Sequence, residues 1–216
     1  MKEINQFIGT LRYNFGKKRL DAKTAKKNPM EQFRLWFAEA IQEKLHEPNA
    51  MILSTALKSG KPSSRIVLLR DADKSGFTFY TNYTSRKGKE IDENPCAALL
   101  FYWAQIEKQV RIEGVIEKVS DKKSNDYFNS RPRESRIGAW ISQQSHVIVS
   151  RQALEKKYAD MDKKFPGQKI PRPHFWGGYV LKPTAFEFWQ GRENRLHDRL
   201  LYSKTKSGWM LERLSP

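Results

Sequence analysis

The stretch "AMILSTALKSGKPSSRIVLLRDADKSGFTFYTNY", residues 50–83, decides the fold. Three runs rich in β-branched and aromatic residues, "AMILSTAL" (50–57), "SSRIVLLRDAD" (63–73) and "FTFYTNY" (77–83), are separated by "KSGKP" and "DKSG". Those separators carry turn chemistry: glycine reaches positive φ, proline fixes φ, and Asp and Ser bond locally to the backbone. Strands joined by such short links pair antiparallel, because a parallel pair needs a long crossover. The pattern continues after "ENP" (93–95) with "CAALLFYWA" (96–104) and "KQVRIEGVIEKVS" (108–120). It closes with "GGYVLKPTAFEFWQ" (177–190), "HDRLLYSK" (197–204) and "GWMLERL" (208–214). Helical segments are expected near 86–93, 121–130 and 150–164. Another helix opens at Pro29, a favoured first position. Its Phe33, Trp36, Phe37, Ala40, Ile41 and Leu45 recur at helical spacing and predict one buried face. The expectation is a mainly β chain with peripheral helices, arranged as an antiparallel barrel or meander.

The composition bounds the rest. With 216 residues, 38% hydrophobic and 12% aromatic, the chain can bury a sizeable core. A net charge of +16 favours anionic partners such as nucleic acid, acidic lipid or phosphorylated small molecules. Cys96 is the single cysteine, which excludes an intrachain disulfide and a cysteine metal cluster. No apolar run has the length of a membrane span and no signal peptide opens the sequence, so a cytoplasmic protein without membrane contact is expected. Residues 1–28 are rich in lysine and arginine and poor in apolar residues, which predicts a basic N-terminal arm, mobile at its start. Residues 29–216 are expected to form one domain.

Absent motifs narrow the chemistry. There is no GxxxxGK[ST] loop, no GxGxxG and no GxSxG, and His46, His146, His174 and His197 lack metal-ligand spacing. Several stretches carry anion donors instead. In "YTNYTSRKGKE" (80–90) a strand ends, Thr84 or Ser85 caps a helix, and Arg86 and Lys87 occupy its first turn. Cations there oppose the helix dipole, which an anion at that terminus would relieve; two solvent-facing cations are the plainer alternative. "RIVLLR" (65–70) reads as a buried strand with a basic residue at each end. "YFNSRPRES" (127–135) supplies Tyr127, Arg131, Arg133 and Ser135 around Pro132, donors suited to a phosphate monoester or simply a link between helices. "FWQGRENRLHDR" (188–199) concentrates arginines, a histidine and a tryptophan at a strand end. Two groups of phosphate donors without a nucleophile or metal suggest a cofactor enzyme. A basic barrel binding single-stranded nucleic acid stands beside that reading.

Taken together and in order, "RIVLLR", "FYTNYTSRKGKEIDENP", "LLFYWAQIEKQVRIEG", "YFNSRPRESRIGAWISQQS", "FWGGY", "EFWQGRENRLHDR" and "RLSP" resemble the pyridoxine/pyridoxamine 5′-phosphate oxidase family, from about Pro29 to Pro216. The resemblance implies an antiparallel split β-barrel of the FMN-binding type. It also implies a homodimer with FMN at the subunit interface, and oxidation of pyridoxine 5′-phosphate or pyridoxamine 5′-phosphate to pyridoxal 5′-phosphate, with oxygen reduced to hydrogen peroxide. Carried over by position, Arg65, Ile66, Val67, Leu68, Leu69, Arg70, Tyr80, Thr81, Arg86, Lys87, Gln109, Gln144, Ser145, Trp189 and Arg199 would bind FMN. Arg70, Tyr127, Arg131 and Ser135 would hold the substrate, with Arg195 and His197 over its ring as the catalytic pair. Two positions depart from the family pattern: Arg70 stands where a lysine is usual, and "RYNF" (12–15) matches only Arg12 of an arm motif. A flavin reductase on the same barrel would lack the combination of Arg131, Ser135, Arg195 and His197.

Overall fold

The computed structural model describes residues 8, 10, 13–16, 18–167 and 169–216. Helix α1 (Pro29–Gln42) starts where the side chain of Asn28 accepts a hydrogen bond from the Met30 amide. It buries Phe33, Trp36 and Ala40, but Ile41 is 55% exposed. Ile41 lies about 80° round the helix from Phe33, at the edge of the apolar stripe, so it misses the core.

The strands are β1 (Ala50–Ala56), β2 (Pro62–Leu68), β3 (Asp71–Asp73), β4 (Gly76–Asn82), β5 (Cys96–Trp103), β6 (Lys108–Lys118), β7 (Trp176–Gln190), β8 (Asp198–Thr205) and β9 (Gly208–Leu214). Between them lie α2 (Arg86–Glu93), α3 (Asp121–Ser130), α4 (Arg133–Ile141) and α5 (Arg151–Lys164). Hydrogen bonding orders the strands β2-β1-β5-β6-β7-β4-β3, with β8 on β7 and β9 on β8. β1 pairs antiparallel with β2 and β5, β7 with β4 and β8, and β8 with β9. The fold is a mainly antiparallel split barrel with peripheral helices. The expected run 63–73 is two strands, because Leu69 and Arg70 leave the ladder between β2 and β3. Among the described residues β2 pairs only with β1, so "RIVLLR" is an edge and not a buried strand, and Ile66 is 70% exposed.

The chain packs as two units. One contains residues 49–100 and 112–184. Its core includes Met51, Leu53, Phe77, Phe79, Leu99, Ile112 and Leu181, with a cluster of Phe128, Ile137 and Trp176 beneath α3 and α4. The other contains residues 1–48, 101–111 and 185–216. There, Phe33 packs on Phe101 with ring centres 5.1 Å apart, Trp36 on Phe188 at 5.2 Å, and Phe188 on Tyr202 at 5.5 Å. No helix among the described residues is long and apolar enough to cross a membrane.

Candidate functional site

A cavity of about 460 Å³ opens in the 49–100/112–184 unit, within the range of small-molecule sites. Edge strand β2 and the link after it give it Ile66, Val67, Leu68 and Arg70. The end of β4 gives Tyr80, Thr81 and Asn82, and α2 gives Lys87. α3, α4 and the turn between them give Tyr127, Arg131 and Ser135, and the segment after α4 gives Ser142 and Gln144.

One wall is aromatic. Tyr80 and Tyr127 stack with ring centres 3.8 Å apart, and both lie nearly parallel to Trp176. The stack needs glycines on β7. A Cβ on Gly178 would come within 2.7 Å of the Tyr80 ring, and one on Gly177 within 2.0 Å of the Tyr83 hydroxyl. Burial, and then the neighbouring Tyr127, raise the Tyr80 phenol to about 12, so it is a neutral donor.

The cations are held differently from one another. The Arg131 guanidinium lies 4.7 Å from the Trp176 ring centre, and its buried Nη1 has no hydrogen-bond partner among the described residues. Such an atom costs free energy until a ligand or water accepts from it. Arg70 lies 5.9 Å from the Tyr127 ring centre. Lys87 is buried, with Nζ 2.9 Å from Gln144 Oε1 and 3.3 Å from Thr81 Oγ1. Burial, and then the charge of Arg65, bring this ammonium down to about 8.

At the start of α2 the two cations are placed differently. Ser85 caps the helix, accepting from the Gly88 amide. Arg86 is 56% exposed and donates to Glu90 Oε1 at 2.8 Å, so a carboxylate one turn away answers its charge. Only Lys87 of that pair lines the cavity. Arg65 lies outside the lining as well: it donates to Leu53 O, Thr55, Ser63 and Glu90. Leu69 is buried, and Ser145, with φ of +71°, is exposed. The sequence reading missed Asn82, Ser142 and Trp176 as lining residues, although the quoted "FWGGY" contained Trp176. Asn82 donates to Ser142 O at 3.0 Å and so fixes the segment that carries Gln144.

In the other unit, Trp189 at the end of β7 and His197 before β8 lie with ring centres 4.7 Å apart, and Phe15 meets both edge-on. The Arg192 amide donates to His197 Nδ1 at 3.1 Å, which puts the proton of the neutral ring on Nε2. Burial, and then Arg195, lower the His197 pKa from its ordinary 6.5, so the neutral ring prevails at pH 7. Arg195, at φ of +59°, lines a second cavity of about 490 Å³ with Tyr13, Phe15 and Arg192. Arg199 donates to the buried carboxylate of Glu187 at 2.8 Å and to Ser215 O at 2.8 Å. Gln109 is half-buried on β6. From the arm, Tyr13 and the Gly16 amide donate to Glu107, while Arg12 lies outside the described residues.

A split barrel with a cation-rich, ring-walled cavity describes a class of small-molecule binder. Comparison with known proteins makes the class specific. Residues 37–165 match the family described as pyridoxamine 5′-phosphate oxidase, and residues 176–216 match the pyridoxine 5′-phosphate oxidase C-terminal dimerisation region. A pyridoxine/pyridoxamine 5′-phosphate oxidase of Nostoc punctiforme is 51% identical over 99% of this chain and 100% of its own. One of Burkholderia mallei is 53% identical over 97% and 99%. Among solved structures, PhzG from Burkholderia lata, in complex with tetrahydrophenazine-1-carboxylic acid, superposes with TM-score 0.87. It is 29% identical and covers 94% of this chain and 100% of its own. A pyridoxamine 5′-phosphate oxidase-related, FMN binding protein of Nostoc punctiforme shares the fold, with TM-score 0.69 and 19% identity over 85% and 97%. The chain belongs to the pyridoxamine 5′-phosphate oxidase family.

Proposed function

We propose that the protein oxidises pyridoxine 5′-phosphate or pyridoxamine 5′-phosphate to pyridoxal 5′-phosphate, with FMN as cofactor and oxygen as acceptor, and that it works as a homodimer in the cytoplasm. The observation that carries this reading is the buried, unpartnered Nη1 of Arg131 in a cavity shared with Ser135, Tyr127 and Arg70. The set offers a guanidinium fork, two hydroxyls and a second cation, the donors a phosphate monoester requires. The whole-length relatives at 51% and 53% identity point to the same substrates.

The residues present fit FMN as well. Lys87 is a buried ammonium whose hydrogen-bond partners among the described residues are the neutral oxygens of Thr81 and Gln144, and it suits the flavin phosphate. Ile66, Val67 and Leu68 expose strand backbone and apolar side chains to the same cavity, which suits the flat ring. Thr81 and Gln144 add polar contacts, and by resemblance Arg65, Leu69, Tyr80, Arg86, Gln109, Ser145, Trp189 and Arg199 belong to the same cofactor. When bound, FMN would supply the redox chemistry, a two-electron oxidation of the substrate carbon with oxygen as final acceptor.

The protein's own part is orientation and proton management. Arg131, Ser135 and Tyr127 anchor the substrate phosphate, and Arg70 adds charge in place of the family's usual lysine. Neutral His197 and cationic Arg195 attend the substrate ring. In this reading, the Arg192 amide occupies His197 Nδ1 and leaves Nε2 to face the substrate's alcohol or amine.

PhzG supports a second reading, since its bound ligand is a carboxylic acid and not a phosphate ester. Steady-state assays with pyridoxine 5′-phosphate, pyridoxamine 5′-phosphate and unphosphorylated pyridoxine decide between them. Turnover of both phosphates with hydrogen peroxide formed is expected. Equal turnover of the unphosphorylated alcohol, or none of the three, sinks the proposal.

A further inference from the structure

Glu90 on α2, the last residue of "YTNYTSRKGKE" (80–90), is a heavily bonded carboxylate near the cavity. Its side chain is 3% exposed. Oε1 accepts from Arg86 Nε at 2.8 Å; Oε2 accepts from Arg65 Nη2 at 3.0 Å, Thr55 Oγ1 at 2.5 Å and Ser63 Oγ at 2.6 Å. A carboxylate removed from water persists only when its lone pairs are met by charge and hydrogen bonds. Here four donors from β1, β2 and α2 meet them. Burial alone would raise its pKa, yet the hydrogen bonds from Ser63, Thr55, Arg86 and Arg65 hold it down at about 2. It is therefore an anion throughout the working range of pH.

We propose that Glu90 is a positioning residue for anion binding at Lys87: its carboxylate gathers Arg65 and Arg86 and so sets the charge environment of the buried ammonium that faces the cavity. The inference rests on the reading of Lys87 as a contact of the FMN phosphate. Glu90 stands three residues after Lys87 on a helix, about one turn away. The charged groups acting on Lys87 are Arg65, which disfavours its ammonium, and Glu90, which favours it; Gln144 and Thr81 are neutral. Take away the Glu90 charge and Arg65 repels Lys87 unopposed. The ammonium then gives up its proton at lower pH, although a negative charge has been removed from the neighbourhood of an anion site.

Two roles predict different data. A carboxylate that merely pins α2 to β1 and β2 would change thermal stability and leave the pH dependence of anion binding alone. A carboxylate that governs Lys87 would move that dependence.

The test is the dissociation constant of FMN, read from quenching of flavin fluorescence between about pH 6 and pH 9.5, with riboflavin as the phosphate-free control. For the wild type, affinity for FMN should decline as the pH rises through about 8, where Lys87 loses its proton. Riboflavin should show no such limb. Glu90→Gln should weaken FMN about tenfold at pH 7.5 and move the limb to lower pH. Arg65→Met should move the limb to higher pH. If Glu90→Gln does not fold, Glu90→Asp keeps the charge but withdraws it by one methylene, and its limb should move the same way by less. A limb that stays put in a folded Glu90→Gln or Glu90→Asp overturns the proposal, and so does tighter FMN binding in Glu90→Gln. A wild type that binds no FMN at any pH defeats the functional reading itself, which is a different result from a wild-type limb that Glu90 fails to move.

Discussion

At the scale of single residues, the cavity separates two kinds of cation. Arg131 has a buried nitrogen waiting for an acceptor, while Arg86 has its acceptor already in Glu90. Arg131→Ala should therefore raise KM for pyridoxine 5′-phosphate about 10- to 100-fold, since a hydrogen bond to a charged group is worth roughly 1.5–3 kcal/mol. The variant should stay yellow, and added FMN should not restore it; an unchanged KM with lost flavin would exchange the two phosphate assignments. His197 carries a second expectation. Its lowered pKa means the neutral ring is lost only as pH falls below the ordinary 6.5, so kcat/KM should keep its value from pH 8 to near 6.5 and fall at lower pH. His197→Asn should be slow across the range and lack that acid limb. Much of this was legible from the quoted motifs, because guanidinium, hydroxyl and amide donors declare their chemistry by type. Glu90 and Glu187 were not. A buried carboxylate that serves as acceptor for arginines has the same letter as a solvated one, and only its surroundings tell them apart.

Among the elements, α2 carries the most weight in the proposed function, since it presents Lys87 on the cavity side and Glu90 to the strands. Its closeness to the preceding chain depends on Gly88, where a Cβ would meet the Tyr83 carbonyl oxygen at 2.0 Å. Gly88→Ala must push the helix away, which should cost about 1–3 kcal/mol in urea unfolding. Flavin affinity should fall with it, because Lys87 moves with the helix. Unchanged stability would show that the contact relaxes freely. Strand positions were readable because period-two patterning and Gly, Pro, Asp and Ser turns act locally. Two elements escaped. The helix α4 starts directly after Pro132, so "SRPRES" read as a link, and its apolar Ile137 and Trp140 belong to the cluster with Phe128 and Trp176. β2 read as buried because Ile66, Val67 and Leu68 are apolar, but those residues line the cavity, where an apolar surface serves a ligand and not the core.

For the whole molecule, the charge of +16 and the dimerisation match at residues 176–216 make opposite demands. Two copies of a strongly cationic chain repel each other across solvent, and that repulsion weakens as salt shortens the screening length from about 10 Å at 0.1 M to about 3 Å at 1 M. If apolar burial drives self-association, the dimer should tighten as salt rises. A basic barrel built to bind single-stranded nucleic acid behaves in the other direction, since counterion release makes its affinity fall steeply with salt. Sedimentation velocity of the flavin-loaded protein across that range separates the two. The expected result is a species of twice the 25.3 kDa chain mass at both ends, more persistent on dilution at high salt. Flavin should be released as dilution produces monomer, because the resemblance places FMN between subunits. A monomer that keeps its flavin at every concentration would refute the shared site. A protein that dimerises only when an oligonucleotide is added, and loses it by 1 M salt, would return the cationic surface to nucleic acid.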